Sequence, residues 1–392
     1  MIQLQKKSDC VGCEACVQRC PKRCIAMQED VEGFLYPKID TEKCIDCGLC
    51  ERVCPVIHQG EPRKPLVAYA AKNQDESVRL NSSSGGIFTA LAEHVIAQGG
   101  VVFGACIDAR GKVFHDFTES CEGIAAFRGS KYVQSHIGNA FLNVEKFLKE
   151  GRMVLFSGTP CQVAALHLFL RKGFDRLITV DFICHGVPSP GVFRRYLSEL
   201  KGEFISIDKE KEHEVEFKNI LFRDKVKGWK EFSLSLDFSK DQFRSKKTFS
   251  ETLRQNIFLK GFLADLYLRP SCYHCPAKQF KSGSDLTIGD YWGIQQAHPG
   301  LDDDKGVSAV LVNTDKGAAI LQTVHQLSLY DSTFEKVVKC NPALIKSAQE
   351  TTKRDLFFEL LNQRKISDVV TQLTHVSILG RIRRKVLQLL VH

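Results

Sequence analysis

The chain has 392 residues, 43% of them hydrophobic and 26% charged, with a formal charge of +8. That apolar content suffices for two or three domains and excludes both a disordered chain and a small disulfide-stapled scaffold. The charge is mild for the length, so nucleic acid is not indicated, and no apolar run approaches the span of a bilayer-crossing helix.

Sixteen cysteines stand out, nine of them before residue 55. The opening Met1-Ile2-Gln3-Leu4-Gln5-Lys6-Lys7 has no signal-peptide core, so this density is read as metal or redox chemistry in a reducing, cytoplasmic setting. Cys10, Cys13, Cys16 and Cys20 are spaced x2, x2, x3 and followed by Pro21; Cys44, Cys47, Cys50 and Cys54 repeat the pattern before Pro55. This is the bacterial two-cluster ferredoxin run, in which the fourth cysteine of each run serves the other 4Fe-4S cluster. Cluster one then takes Cys10, Cys13, Cys16 and Cys54, and cluster two Cys44, Cys47, Cys50 and Cys20. A pair of zinc knuckles would not call for the doubled spacing. Cys24 lies outside both runs and is expected to be a small buried side chain.

Glu61-Pro62-Arg63-Lys64-Pro65 reads as a linker, after which helix and strand alternate. Asn81-Ser82-Ser83-Ser84-Gly85-Gly86 is a polar turn into a helix over 87–96, ended by Gly99-Gly100. A strand is expected from Val101, a helix over 139–150, a strand over 152–157, a helix over 163–172 ended by Gly173, and a strand over 177–183. The order is that of a largely parallel sheet covered by helices. The turn before residue 87 could cradle a phosphate, although most such turns are only caps.

Cys161 follows a strand in Ser157-Gly158-Thr159-Pro160-Cys161, where Thr159 suits a helix N-cap and Pro160 the first helical position. Cys184 ends the next strand. If the two strands are parallel neighbours, both cysteines lie at the carboxyl edge of the sheet, where such folds place ligands. Cys272 and Cys275 form a further C-x2-C turn. Together the four could hold a third cluster, or a structural zinc with His185 or His274, or could be unrelated buried thiols; spacing alone leaves all three open. Cys106, Cys121 and Cys340 are expected to be packing residues.

From Glu203 to Ser250 the alternation at 217–222 and 232–238 predicts solvent-exposed antiparallel strands around Gly228-Trp229, followed by a helix over 251–266. Asp285 to Gly293 predicts a short strand ending in an aromatic loop, able to stack on a planar ring or to plug the core. The segment 377–390 is a basic amphipathic helix. Docking on its own domain is favoured for it over a membrane surface or an acidic partner. The expected divisions are a ferredoxin unit over 1–60, a flavin-binding α/β domain over 61–310 and a helical extension over 311–392.

Ser83-Ser84-Gly85-Gly86-Ile87, Gly129-Ser130-Lys131-Tyr132, Ser157 to Gln162, Cys184-His185-Gly186, Cys272-x2-Cys275 and Thr287 to Gly293 occur in order over about residues 65 to 300. Together they resemble the beta-subunit family of coenzyme F420 (deazaflavin) hydrogenases and dehydrogenases. The resemblance implies FAD and an inner iron–sulfur cluster, some members carrying a fused two-cluster ferredoxin. It implies that Ser84, Gly85, Gly86, Lys131 and Tyr132 line the flavin site, and that Cys161, Cys184, Cys272 and Cys275 hold the inner cluster.

Clusters pass single electrons and organic acceptors take two, which is why a flavin belongs between them. Three functions follow: a flavin reductase fed by ferredoxin-type clusters and acting on an organic small molecule, a deazaflavin-coenzyme oxidoreductase or hydrogenase subunit, and a non-catalytic electron carrier for a redox partner protein. The fused ferredoxin unit favours the first. His185 is a candidate proton donor beside a ligand, with no catalytic residue assigned.

Overall fold

The structure, a computed structural model, describes residues 1–207, 216–239 and 246–375. The basic segment 377–390 lies outside the described residues. No helix among those residues is long and apolar enough to cross a membrane.

The first sixty residues are organised by their cysteine turns. Short helices Ala15–Arg19 and Leu49–Arg52 each start at a left-handed residue, Glu14 and Gly48, and carry Cys16 and Cys50. Strands β1 (Ile25–Glu29) and β2 (Leu35–Ile39) form an antiparallel hairpin with Ile25 opposite Ile39. The buried cluster inside this unit consists of Ile2, Ile25, Cys16, Cys24, Cys50 and Cys54. Thiols make up most of it, so apolar burial alone gives the unit little stability.

The remaining strands are β3 (Val67–Asn73), β4 (Val101–Ile107), β5 (Val113–Thr118), β6 (Val154–Gly158), β7 (Leu177–Phe182), β8 (Glu216–Asp224), β9 (Ser233–Ser239), β10 (Lys246–Thr252), β11 (Leu286–Asp290), β12 (Ser308–Val312) and β13 (Leu327–Ser332). Eight of them form one sheet in the order β13-β3-β12-β11-β7-β6-β4-β5, and β10-β9-β8 form a second. Strands β4, β6, β7 and β11 pair in parallel. The flanking pairs β4–β5, β11–β12, β12–β3 and β3–β13 are antiparallel. The sheet is therefore mixed, parallel only at its centre. At one flank the reason is local: β4 and β5 are joined through the tight Asp108–Lys112 turn, too short for a crossover, with Asp108 accepting from the Arg110 and Lys112 amides.

Three expectations are corrected. The sheet does not stop at 310, because β12 straddles that point and β13 pairs with β3. Strands β8 and β9 are not a solvated excursion: Phe217, Phe222, Leu234 and Leu236 are buried against Phe193 and Phe258, and Trp229 is also buried. Polar residues alternate with these apolar ones, and although Arg223, Ser233 and Ser235 among them are buried, that alternation is what disguised the sheet as a surface one. The expected helix over 251–266 begins in a strand instead, since Glu251 pairs with Leu234 across β10–β9. Asn256 then caps a short helix, Ile257–Leu263, by accepting from the Leu259 amide.

A polar seam crosses the core beneath β7. The Asp181 carboxylate accepts from the Ser282 and Thr287 hydroxyls, both at 2.5 Å. Burial raises its pKa from 3.8 to about 6. A carboxyl raised by folding favours the native state while protonated, so its benefit is full below about pH 4 and lost as pH rises through 6. Asp181→Asn is therefore expected to gain stability relative to the native chain between pH 4 and pH 7, by about 3 kcal/mol. Anaerobic denaturant titrations at both pH values check this; an unchanged difference contradicts it.

Candidate functional site

Thr159 accepts from the Gln162 amide and Gln162 reaches back to Thr159, a capping box with Pro160 at the first position of the helix Pro160–Leu170. Cys161 thus falls in the first turn, as expected, although the helix ends at a left-handed Arg171, before Gly173. Strands β6 and β7 are parallel neighbours, so Cys161 and Cys184 follow adjacent carboxyl ends. The 3-10 turn Pro270–His274 brings Cys272, with Cys275 at its end.

The four thiols share one place. Burial and the Cys275 thiol push Cys161 up to about 12; burial pushes Cys184 well above the ordinary value, with Cys272, Cys161 and Cys275 adding to it; and burial pushes Cys272 up to about 11. Thr159 Oγ1 lies 3.1 Å from Cys161 Sγ, and the Val187 amide donates to Cys272 Sγ at 3.4 Å. Lys278 binds the Cys184 carbonyl at 2.5 Å. Thiolates sharing a single zinc would stand about 3.8 Å apart. Among the described residues, no three or more His, Cys, Asp or Glu are so arranged for one ion. His274 is exposed beside Glu350, and His185 bonds Asp265 at 2.5 Å. Four thiols, one receiving the Val187 amide and one beside the Thr159 hydroxyl, are a donor set that fits an iron–sulfur cluster.

The amino-terminal cysteines divide the same way. Cys10, Cys13, Cys16 and Cys54 line one cavity, and Cys20, Cys44, Cys47 and Cys50 line another. The fourth cysteine of each run thus faces the other run. The Gly12 amide donates to Cys10 Sγ and the Ile2 amide to Cys50 Sγ, at 3.4 and 3.3 Å. Cys24 is more than packing: its Sγ lies 3.3 Å from that of Cys20, on the wall of the second cavity. Cys106 is buried as expected, but Cys121 is exposed.

The flavin-site residues expected from resemblance gather near this edge, some with duties inside the fold. A Cβ at Gly85 would stand 2.4 Å from the Ala71 carbonyl, and the Gly85 amide already donates to Ser308 Oγ at 2.9 Å. Gly86 caps the helix Ile87–Ala97 with φ +84° and no side-chain cap. Ser84 Oγ donates to the Val307 carbonyl. Lys131 donates to the Ala126 and Arg128 carbonyls, and burial lowers its pKa to about 7.

Tyr132 leads to Arg223 and Lys225, which sequence reasoning missed, and to Asp290 and Trp292 of the aromatic loop it had singled out. Its hydroxyl accepts from Arg223, whose guanidinium also pairs with Asp290 at 2.6 and 3.1 Å and donates to the Ser83 carbonyl. Arg223 Nε is buried without a partner among the described residues. Trp229 donates to Asp290 at 2.6 Å and stacks on Trp292, rings 5.0 Å apart. Lys225 binds the Arg79, Ser84 and Lys305 carbonyls, and burial lowers its pKa to about 7. Asp290 ends β11, so it shares the carboxyl edge with Cys161 and Cys184. An uncapped helix start, a buried guanidinium with an unpartnered nitrogen and a flat indole pair suit an anionic, planar cofactor.

The ferredoxin unit is docked on this edge by buried polar contacts. The Glu14 carboxylate accepts from the Ile137 and Gly138 amides at 2.9 and 3.1 Å, and Arg354 pairs with Glu32 at 3.0 and 2.5 Å.

Two groups of four thiols in a small unit, joined to an α/β domain with a third group at its sheet edge, define an iron–sulfur electron-transfer protein, and residues 9–57 match the 4Fe-4S dicluster domain. Residues 68–141 and 151–332 match, respectively, the N-terminal and C-terminal parts of the coenzyme F420 hydrogenase/dehydrogenase beta subunit. The chain belongs to this beta-subunit family, an oxidoreductase family, with a fused ferredoxin domain.

Among curated relatives, the chain is 24% identical over 183 residues to a component chain of the F(420)H(2) dehydrogenase of Methanosarcina mazei, covering 44% of this chain and 51% of that one. It is 39% identical to a 7Fe ferredoxin of Hydrogenibacillus schlegelii, over 17% of this chain and 85% of that one. A ferredoxin of Mycolicibacterium smegmatis is 35% identical over 18% of this chain and 66% of its own length. The chain thus spans about half the length of the relative that matches its main body. A solved structure of the F420-reducing nickel–iron hydrogenase complex from Methanosarcina barkeri aligns over 80% of this chain and 92% of that one, with 16% identity and a TM-score of 0.45.

Proposed function

We propose that the chain is a beta-subunit-like oxidoreductase passing electrons between two ferredoxin-type clusters, an inner 4Fe-4S cluster and FAD, and exchanging them there with a deazaflavin coenzyme. The observation that carries this is the meeting of Cys161, Cys184, Cys272 and Cys275, from three separate segments, at the sheet edge on which the ferredoxin unit docks. The family match favours the deazaflavin partner over an unrelated organic substrate.

Cys10, Cys13, Cys16 and Cys54 would hold one outer cluster, and Cys20, Cys44, Cys47 and Cys50 the other. Ser84, Gly85, Gly86, Lys131 and Tyr132, with Arg223, would hold the flavin. A bound flavin supplies the exchange between one-electron and two-electron transfer. Arg223, with Lys131 when protonated, would set positive charge beside an anionic group, and the stacked Trp229–Trp292 pair would wall the site against water. His185, oriented by Asp265, meets the edge of the Phe262 ring, which packs on Tyr132. A proton donor is therefore held at the margin of the same site. Docking on a redox partner protein follows from the family's subunit character.

Anaerobic purification with iron, sulfide and flavin analysis tests this. About twelve irons and one FAD per chain are expected, bleached by reduced coenzyme F420. Iron without flavin favours a non-catalytic carrier, and bleaching by reduced ferredoxin alone returns the organic-substrate reading.

A further inference from the structure

Arg269 is fully buried. Its Nε donates to the Cys10 carbonyl at 2.7 Å, Nη1 to Gln134 Oε1 at 2.9 Å and Nη2 to the Leu35 carbonyl at 3.0 Å. The guanidinium lies over the Tyr36 ring, 4.3 Å from its centroid. It also forms the wall behind Gly12, where a Cβ would stand 2.8 Å from Nη1. In its own segment it opens the turn that carries Cys272 and Cys275. Every hydrogen-bond acceptor it has is neutral, and among the described residues no carboxylate forms an ion pair with it. A buried cation without a counter-charge is costly. The contrast with Arg223 and Arg354, each paired with a carboxylate, is sharp. Its place joins the two thiol groups: its own carbonyl accepts from the Cys272 amide at 2.9 Å on one side, while its guanidinium is held by the Cys10 carbonyl and lies behind Gly12 on the other.

We infer that Arg269 is the electrostatic link between the outer cluster of Cys10, Cys13, Cys16 and Cys54 and the inner cluster of Cys161, Cys184, Cys272 and Cys275, with the two clusters serving as its counter-ions. The inference rests on the proposed reading that both thiol groups carry clusters. One electron leaves one cluster and enters the other, with no bond made or broken. Each reduction adds a negative charge beside the guanidinium, so Arg269 favours the reduced form on both sides and raises both midpoint potentials. It is a positioning residue, since it touches neither substrate nor transferred atoms.

The test is a potentiometric titration of the full chain followed by electron paramagnetic resonance, with iron analysis on the same samples. Arg269→Gln is expected to lower both midpoint potentials by about 59 mV or more, a tenfold change in the reduced-to-oxidised ratio of a one-electron couple. Arg269→Lys keeps the charge and is expected to leave both near the native values. Gln134→Glu places a carboxylate against the intact guanidinium, and it is expected to lower both potentials even if the Arg269→Gln chain does not fold. Native potentials in Gln134→Glu, equal drops in the lysine and glutamine variants, or a drop at one cluster only would overturn the inference. If the unmodified chain holds about eight irons, the three-cluster reading itself fails and takes the inference with it. About twelve irons with unmoved potentials overturn the inference alone.

Discussion

Replacing Cys184 by alanine is expected to remove about four of about twelve irons per chain and to leave the outer clusters in place. Cys184 reaches the inner group from the end of β7, while Cys161, Cys272 and Cys275 come from two other segments. A cube held at three corners needs a replacement ligand for the fourth, and the described residues nearby offer no free thiol or imidazole. His185 is held by Asp265, and the remaining buried thiol of the main domain, Cys106, takes no part in the group: it bonds the Phe114 carbonyl at 3.4 Å. Cys106→Ala therefore serves as the control with unchanged iron. Iron and sulfide analysis, with electron paramagnetic resonance of the reduced protein, checks both. Full iron in Cys184→Ala would remove this cysteine from the ligand set. The flavin of the variant is expected to resist reduction through the outer clusters, since the inner step is gone.

Arg223→Met is expected to destabilise the chain by about 3–5 kcal/mol, the cost typical of breaking a buried ion pair from one side. Both partners are buried, 3% and 13% exposed, so solvent cannot take over for the lost charge. Among the described residues Asp290 would keep the Trp229 indole alone as donor, and the Ser83 carbonyl and Tyr132 hydroxyl would lose the guanidinium they share, leaving the Ser83–Ser130 hydrogen bonds to tie the two loops. The double variant Arg223→Met with Asp290→Asn leaves no orphan charge and is expected to recover more than half of the loss. Anaerobic denaturant titrations measure both. Flavin content is expected to fall in both variants, because neutralising the carboxylate restores stability but does not restore the guanidinium. A double variant no more stable than the single one would show that packing, and not charge, holds this corner.

The two cysteine runs were readable because their chemistry is local: three ligands fall within seven residues, so spacing and geometry are the same information. The position of Cys161 was readable for a related reason. Thr159, Pro160 and Gln162 write the start of a helix in four consecutive letters, and a helix start after a strand puts its first turn at the sheet edge. The pairing of Arg223 with Asp290 carried no such mark. They are 67 residues apart: Asp290 lies inside the Thr287 to Gly293 motif, but Arg223 lies in a strand that looked solvated, where an isolated Arg reads as surface, so nothing local joined the two. The same limit produced the misplaced helix at 251–266, where pairing of Glu251 with Leu234 overrides local periodicity. At Gly85 the motif was visible, but its stated reason was incomplete: the close approach of Ala71 requires the glycine whether or not a cofactor lies beyond it.

Taken alone, the order of residues settles the cysteine turns, the helix starts and stops, and the strand–helix alternation, because each of these depends on neighbours within a few positions. The meeting of Cys161, Cys184, Cys272 and Cys275, the pairing of Arg223 with Asp290 and the reach of Arg269 from the Cys272 turn to the Cys10 carbonyl arise only once the sheet is assembled and the ferredoxin unit is docked on it. Contacts between distant segments are set by register, burial and the need of each buried charge for a partner, and no short stretch of sequence contains those terms.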